Sequence, residues 1–404
     1  MRDGDLRLLA GHWERQVTHT GDYWTGALTR DGSVIGLRRD GNQGHLLVQL
    51  EVGEGSVTKG AEFALDLELP NRGPRPGYLV VAPDAGHVLV GNLAIELDSG
   101  RLIELAPGSR SAVWSPDGSR LAYLTPDEDR DPDSKVVSRF DLWVVDVVGR
   151  AAPQRLASGL MDWFDMHGRY AESIAWSTDG KEILALSAKG AEWIDKRGPG
   201  YVMSGPVNNR LVSVDLETRE VRELANAPDL HRGLEGEADV VGNQVVVSAA
   251  ATPREGGQGA FLVMDYERAY GIALLNADGT LERLVVELAP DRHTVRMGAP
   301  VWAPDGTKLA YFGWYMTSIM PFIDVLDLAT GDVARVWEST EYRKPGHWDI
   351  SPDGKWVWIV VSTHHPDDPR ATRDLSMLAS VAQPGHAETV NGIVLDWCCT
   401  SREN

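Results

Sequence analysis

A short phrase built around an Asp-Gly turn recurs along this chain and restricts its fold more than any other feature. It reads AVWSPDGSRLAYL from residue 112, IAWSTDGKEILAL from residue 174 and PVWAPDGTKLAYF from residue 300. Proline presets φ at the second position of a tight turn, and glycine accepts a positive φ at its end. Apolar segments on both sides of such a turn predict antiparallel hairpins.

The phrase occurs seven times, and each copy continues into a third and a fourth apolar segment. Four-stranded units repeated along a chain are typical of a β-propeller. We therefore predict an all-β chain folded as a seven-bladed β-propeller of four-stranded antiparallel blades, in a single domain over residues 1–404. The residues that mark the turns are Asp31, Asp84, Asp117, Asp179, Asn243, Asp305 and Asp353.

The unit boundaries follow from the turn markers. A segment at about residues 13–19 reads like a fourth strand and is expected to close the ring by pairing with the last unit. The predicted blades lie near residues 24–60, 78–106, 111–157, 172–225, 237–288, 299–338 and 347–397.

The segments WSPDG, LAY and DLWVVD in the unit that begins near residue 111 resemble TolB-type, WD40-like repeats. Such repeats also occur in the propellers of prolyl-oligopeptidase-like proteases, and they serve many functions. The architecture is also similar to that of oligogalacturonate lyase, which places metal-binding histidines ahead of a DG turn in the last blade. Only His347 carries over from that family, because Pro345 stands where the paired histidine is expected.

Composition and missing motifs exclude several functions. A net charge of −20 without a basic cluster argues against nucleic acid and anionic membranes as partners. No apolar run is long enough to span a membrane or to serve as a leader, and Cys398 and Cys399 are adjacent. Neighbouring cysteines rarely form an unstrained disulfide, so we expect a cytoplasmic protein, and a secreted protein that has lost its leader stays open as the alternative. The chain has no G-x-S-x-G motif, so a serine hydrolase is not expected.

The order of segments within the repeat also assigns residues to faces. In a propeller, the loops that enter first strands open on the same face as the loops between second and third strands. Nine of the 11 histidines fall in or beside those loops. Binding residues concentrate on long loops of a rigid scaffold, so this face is predicted to be the functional one. The nine are His19, His45, His167, His231, His293, His347, His364, His365 and His386.

Two units depart from the repeat four residues before the turn marker. That row reads Ala27, Val80, Val113, Ala175, Asp239, Val301 and Asp349. A buried carboxylate is costly unless it is paired, hydrogen-bonded or metal-bound. Glu237 and His347 stand two residues before the two carboxylates, so these positions are candidates for acid–base chemistry. A structural role, in which Asp239 and Asp349 cap blade ends or pair with arginine, also stays open.

The predicted site therefore combines three groups of residues. Arginines suit an anionic group on a small ligand, and aromatic side chains suit apolar or sugar-stacking walls. Histidines could hold a divalent metal, for which His347 and His293 are the candidates. The predicted catalytic residues are His347, Asp349, Asp239, Glu237, His293, His231 and His167. The predicted substrate-binding residues are Arg169, Tyr170, Arg232, Arg296, Tyr315, Trp314, Trp24, Trp348, Arg343 and His364.

Three functions stay open. The first is an enzyme that acts on a small or oligomeric, carboxylate- or sugar-bearing substrate at the channel mouth, by acid–base or metal-assisted chemistry. The second is a non-catalytic interaction or ligand-binding module. The third is a tailoring or cyclising enzyme that uses an apolar funnel with one acid. Trp114, Trp176 and Trp302 share one repeat position and are predicted to be packing residues instead.

Overall fold

The computed structural model describes an all-β chain, and no helix occurs in the part it describes. Nothing in that part is a helix that could cross a membrane. The described residues are 6–10, 13–19, 23–29, 32–40, 44–52, 56–65, 79–127, 139–149, 151–161, 174–177, 179–189, 192–198, 201–207, 210–226, 244–247, 257–264, 269–276, 281–287, 295–297, 301–303, 306–315, 320–339, 345–351, 353–365 and 368–390.

The first part of the chain forms a hairpin and two four-stranded antiparallel sheets. The hairpin pairs β1 (Arg7–Ala10) with β2 (Trp13–Gln16). The first sheet contains β3 (Tyr23–Leu28), β4 (Val34–Asp40), β5 (Gly44–Val52) and β6 (Val57–Leu65). The second contains β7 (Leu79–Val81), β8 (His87–Val90), β9 (Leu93–Glu96) and β10 (Leu102–Glu104).

An eight-stranded sheet follows, in which two four-stranded sets are joined where β14, the last strand of the first set, pairs with the end of β16 in the second. The first set is β11 (Arg110–Trp114), β12 (Arg120–Pro126), β13 (Phe140–Asp146) and β14 (Gln154–Met161). The second set is β15 (Ile174–Trp176), β16 (Glu182–Ser187), β19 (Arg210–Asp215) and β20 (Val221–Asn226). Between them in the chain, β17 (Glu192–Gly198) and β18 (Tyr201–Val207) form a separate hairpin, which the sequence did not predict.

Three more sheets complete the described chain. One contains β21 (Gln244–Val247), β22 (Gly257–Met264), β23 (Ala269–Asn276) and β24 (Leu281–Glu287). The next contains β25 (Val295–Met297), β26 (Val301–Trp302), β27 (Lys308–Tyr315), β28 (Pro321–Asp327) and β29 (Val333–Glu338). The last contains β30 (Pro345–Ile350), β31 (Trp356–His365), β32 (Asp368–Ser380) and β33 (Ala387–Val390).

The prediction of an all-β chain with four-stranded antiparallel sheets is confirmed. The segment expected to close the ring pairs instead with its neighbour, as β2 with β1, and the β30–β33 sheet does not include it among the described residues. Ring closure stays a prediction. The chain divides into two compact units, one of Met1–Leu105, Pro345–Ala379 and Ala387–Asn404, the other of Ala106–Lys344 and Ser380–His386.

Apolar residues pack sheet against sheet within each unit. In the first unit, one core joins the β3–β6 sheet to the β7–β10 sheet and contains Ile35 and Val88, both fully buried. In the second unit, another core joins β11–β14 to β15, β16 and β19 and contains Leu124, Ile174 and Trp176. Burial of apolar surface between neighbouring sheets is the main stabilising contribution in this architecture.

The repeated turn is held by a serine and the marker aspartate. Ser115 Oγ donates to Asp117 Oδ1 at 2.6 Å, Asp117 Oδ1 accepts from the Ser119 backbone N–H at 3.0 Å, and Ser115 Oγ accepts from the Arg120 N–H at 2.9 Å. Donation from the Ser115 hydroxyl and then from the Ser119 amide lowers the pKa of Asp117 to about 2. The Ser177–Asp179 and Ser351–Asp353 turns repeat the serine–aspartate bond, at 2.7 Å in each.

The second sheet has a strained version of this turn. Gly118, Gly180 and Gly354 follow the marker with φ between 64° and 74°, whereas the β7–β8 turn has Ala85 there, with φ 59°. A left-handed conformation costs a residue with a Cβ atom about 1–2 kcal/mol. The β7–β8 turn is therefore less stable than its sister turns.

We expect Ala85→Gly to raise the free energy of unfolding by about 0.5–1 kcal/mol. The relief of strain exceeds the extra freedom that glycine brings to the unfolded chain, about 0.5–1 kcal/mol. Chemical denaturation measures the change, and Gly118→Ala is the matched control, with a loss of similar size. A lower stability for Ala85→Gly would contradict this account of the turn.

Candidate functional site

Strand β30 carries the two residues that depart most from the repeat, His347 and Asp349. Asp349 is opposite Trp358 on β31, and the ladder shifts by one residue between Pro345 and His347. Asp349 is partly buried, and its Oδ1 accepts a hydrogen bond from the Ile350 backbone N–H at 2.8 Å. A carboxylate therefore stands within the sheet, next to an irregularity of the strand.

The strand ladders agree with the alignment of the repeat made from the sequence. In five units of the repeat, the residue four before the turn marker is opposite the residue five after it. Asp349 thus has the same backbone position as four small apolar residues, and its chemistry is specific to the last sheet. The five pairs are Val80 with Leu89, Val113 with Ala122, Ala175 with Leu184, Val301 with Ala310 and Asp349 with Trp358.

Trp348 lies between His347 and Asp349 on β30 and differs from them. It was predicted to form a wall of the site, but only 4% of it is exposed. The equivalent residues of two sister strands, Leu79 and Ile174, are 4% and 0% exposed. Trp348 therefore has the environment of a packing residue.

A one-residue bulge recurs near the start of four first strands. The ladder shifts between Tyr23 and Thr25 in β3, between Arg110 and Val113 in β11, and between Pro345 and His347 in β30. The pairings of β25 and β26 with β27 differ by the same single residue. Bulges redirect side chains and are frequent beside active sites. In β11 the bulge contains Ser111, which has φ 50°.

In the β25–β29 sheet, two predicted ligand-binding residues are paired across neighbouring strands, and a third follows one of them in the chain. Arg296 on β25 is directly opposite Trp314 on β27, and Tyr315 is opposite Val295. Trp314 is also opposite Pro321 on β28. The hairpin around the turn phrase predicts that these two segments pair, but it does not predict this register, which depends on the one-residue shift between β25 and β26.

The last sheet has an extended ribbon on its second and third strands. β30 pairs with β31 as far as Val361, and β33 pairs with β32 from Ser376 onward. The part of β31 after Val361, which includes the predicted ligand-binding residue His364, and the part of β32 before Ser376 extend beyond these partners.

Trp24, another predicted ligand-binding residue, lies on β3. The remaining predicted site residues, His167, Arg169, Tyr170, His231, Arg232, Glu237, Asp239, His293 and Arg343, lie outside the described residues.

The described ranges contain no group of three or more histidine, cysteine, aspartate or glutamate residues that could hold a metal ion. Because His293 lies outside those ranges, the metal site formed by His293 and His347 stays a prediction.

One ionic cluster has no counterpart among the residues predicted from the sequence. Asp324 on β28 is 6% exposed and accepts from Arg335 Nε at 2.8 Å and Nη2 at 3.1 Å. Tyr311 Oη donates to Asp324 Oδ2 at 3.4 Å, and the guanidinium of Arg335 lies 3.8 Å from the ring centroid of Phe322. Burial, and then the Asp324 carboxylate, raises the pKa of Tyr311. These paired groups tie β27, β28 and β29 together.

Comparison with known proteins bears on the fold alone. No family model matches the chain, and no curated protein matches it. It is similar to a structure from a study of two prolyl endopeptidases, with a TM-score of 0.55 and 14% identity, covering 91% of this chain and 49% of that one. It is also similar to oligogalacturonate lyase in complex with manganese (TM-score 0.49, 14% identity, 95% and 83% covered) and to TolB from Acinetobacter baumannii (0.40, 14%, 87% and 79%).

The likeness to the prolyl endopeptidase structure, at a TM-score of 0.55, bears on the fold and agrees with the resemblance to the propellers of prolyl-oligopeptidase-like proteases that the repeat predicted. No family model confirms the more specific assignment to the TolB-type, WD40-like repeat family. At 14% identity the likeness carries no information about activity.

Proposed function

We propose that this protein is a single-domain, seven-bladed β-propeller enzyme. Its substrate would be a small or oligomeric molecule that bears a carboxylate or a sugar, bound at the channel mouth where the first strands begin. The observation that carries the proposal is Asp349. It is a partly buried carboxylate, beside a strand bulge, at a register position where four sister units of the repeat have alanine or valine.

In this proposal His347 and Asp349 exchange protons with the substrate. An imidazole beside a carboxylate is suited to general acid–base work near neutral pH, since each group shifts the protonation of the other. Asp239, Glu237, His293, His231 and His167 would complete the ionisable set. A divalent metal, if one is used, would be held by His347 and His293.

The Arg296–Trp314 pair supports the binding part of the proposal. Arginine recognises carboxylates through paired hydrogen bonds, and an indole ring offers a flat apolar surface for a sugar. Their direct opposition on β25 and β27 would let one ligand contact both residues. Tyr315, Trp24, Arg343, Arg169, Tyr170, Arg232 and His364 would supply further contacts. The reaction class would be a lyase or a tailoring enzyme.

An activity screen with a built-in comparison tests the proposal. The purified protein is incubated with uronic-acid oligosaccharides and with neutral oligosaccharides of the same length, each with and without a chelator, and products are read by mass spectrometry. We expect conversion of the acidic series only. Loss of conversion with chelator, and its return with added manganese or zinc, would support the metal. Binding of both series without any product would favour the non-catalytic ligand-binding module.

A further inference from the structure

The last sheet departs from the repeat on two paired strands, β30 and β31. Asp349 on β30 is directly opposite Trp358 on β31, whereas four sister units have leucine or alanine in place of the tryptophan. Side chains directly opposite each other on antiparallel strands lie side by side on the same face of the sheet. A carboxylate and an indole therefore replace an aliphatic pair. The aliphatic counterparts of Trp358 are Leu89, Ala122, Leu184 and Ala310.

The indole N–H of Trp358 is a buried donor without an acceptor. Trp358 is 4% exposed, and its Nε1 is shielded from solvent and has no hydrogen-bond partner within the described part of the chain. The residues on either side of it in β31, Val357 and Ile359, are buried and apolar, so their side chains offer no acceptor. A buried donor that has given up its bond to water and gained no other lowers the stability of the fold.

Two other tryptophans show how this chain satisfies an indole. Trp176 Nε1 donates to the backbone carbonyl of Val113 at 3.0 Å, and Trp143 Nε1 donates to Thr125 Oγ1 at 2.9 Å. Trp358 therefore carries a cost that these two residues do not. A buried polar group without a partner calls for an explanation, and a ligand that supplies the missing acceptor is one.

We propose that Trp358 is a substrate-binding residue whose indole N–H donates to a hydroxyl oxygen of the ligand, a role that holds only if Asp349 itself binds the substrate as proposed above. Asp349 is partly buried and keeps some surface in contact with solvent. A ligand group that reaches this carboxylate arrives beside the indole on the same face of the sheet.

The chemistry of the pair selects a hydroxyl group. A hydroxyl can donate to the Asp349 carboxylate and at the same time accept from the indole N–H, which only donates. A ligand carboxylate would accept from the indole but would meet the like charge of Asp349. A protonated amine would donate to Asp349 but has no lone pair for the indole. The substrate is therefore expected to place a sugar or other alcohol hydroxyl here and to place any carboxylate elsewhere.

Heteronuclear NMR with labelled indole nitrogens tests the contact directly. The chain has 14 tryptophans, and the spectrum of Trp358→Phe identifies the Trp358 signal by its loss. Titration with the uronic-acid oligosaccharides of the screen should move the Trp358 Nε1–H signal downfield, because a new hydrogen bond deshields the proton. The Trp176 signal is the control and should stay in place, since that indole already donates to Val113. Acetate, which has a carboxylate and no hydroxyl, should move neither signal.

Denaturant unfolding gives a second measurement that needs no ligand. Trp358→Phe and Trp176→Phe remove the same part of a buried ring, but only Trp176→Phe also removes a hydrogen bond. The unfolding equilibrium constant should therefore rise roughly tenfold less in Trp358→Phe than in Trp176→Phe. The affinity for the uronic-acid oligosaccharide should change in the opposite sense, with a roughly tenfold loss in Trp358→Phe and no loss in Trp176→Phe.

Two results would overturn the contact and leave the proposed function intact. One is oligosaccharide binding that does not move the Trp358 signal, and the other is an equal loss of stability in the two variants. A shift caused by acetate would overturn the choice of a hydroxyl. If no oligosaccharide binds at all, the function proposed for Asp349 fails, and the role of Trp358 fails with it.

Discussion

Trp176→Ala should lower the free energy of unfolding by about 3–5 kcal/mol, the range for truncating a large core side chain. Trp176 is 5% exposed and belongs to the core that joins β11–β14 to β15, β16 and β19. Its indole Nε1 donates to the backbone carbonyl of Val113 on β11 at 3.0 Å. The substitution would leave a cavity between two four-stranded sets and would also leave that carbonyl without its indole donor.

Two further variants separate the contributions to this loss. Trp176→Phe keeps a six-membered ring but removes the indole N–H together with part of the buried ring, so about 1–3 kcal/mol should be lost. Trp356→Ala changes a tryptophan that is 40% exposed at the start of β31, so the free energy of unfolding should fall by only about 0.5 kcal/mol. Chemical denaturation of all three variants gives the comparison. Similar losses for Trp176→Ala and Trp356→Ala would mean that the repeat position does not mark a packing residue.

The part of the fold that follows the repeat could be predicted because it is encoded locally. Ser115, Asp117 and Gly118 hold a turn through bonds between neighbours in sequence, so the same letters give the same turn elsewhere. The β17–β18 hairpin could not be predicted in this way. It lies between the second and third strands of one set, and its sequence has no counterpart in the other copies.

The candidate site shows the same division between local and distant information. Asp349 could be found because the chain supplies its own comparison: a carboxylate in a column of alanine and valine stands out in the aligned copies. The Asp324–Arg335 pair could not, since the two residues lie on different strands and no repeat position predicts an acid in one and a base in the other. The Arg296–Trp314 opposition depends on the bulge between β25 and β26, and a bulge leaves no signature in this sequence.

The sheets also explain why a site at this position need not stabilise the protein. A partly buried carboxylate loses part of its hydration on folding, and an apolar residue of similar size at the same place does not. Four sister units of the repeat have an apolar residue at this position. A carboxylate at this position is then expected to serve binding or catalysis while lowering the free energy of unfolding, and both effects can be measured.

Asp349→Val should therefore change stability and activity in opposite directions. Restoring the apolar residue of the sister sheets removes a partly desolvated charge, so the free energy of unfolding should stay within about 1 kcal/mol of the wild type or rise. Turnover of the substrate found in the screen should fall by about 10²–10⁴-fold, the usual contribution of a general acid or base, and His347→Ala should cause a loss of the same order. Denaturant unfolding and a rate assay on the same preparations give both quantities.

Val113→Asp is the matched control. It puts a carboxylate at the same register position of β11, where valine packs against a core, and it should lower the free energy of unfolding without affecting turnover. If Asp349→Val unfolds more easily while turnover survives, Asp349 is a structural cap whose partner has been left unsatisfied, and the proposed site is refuted.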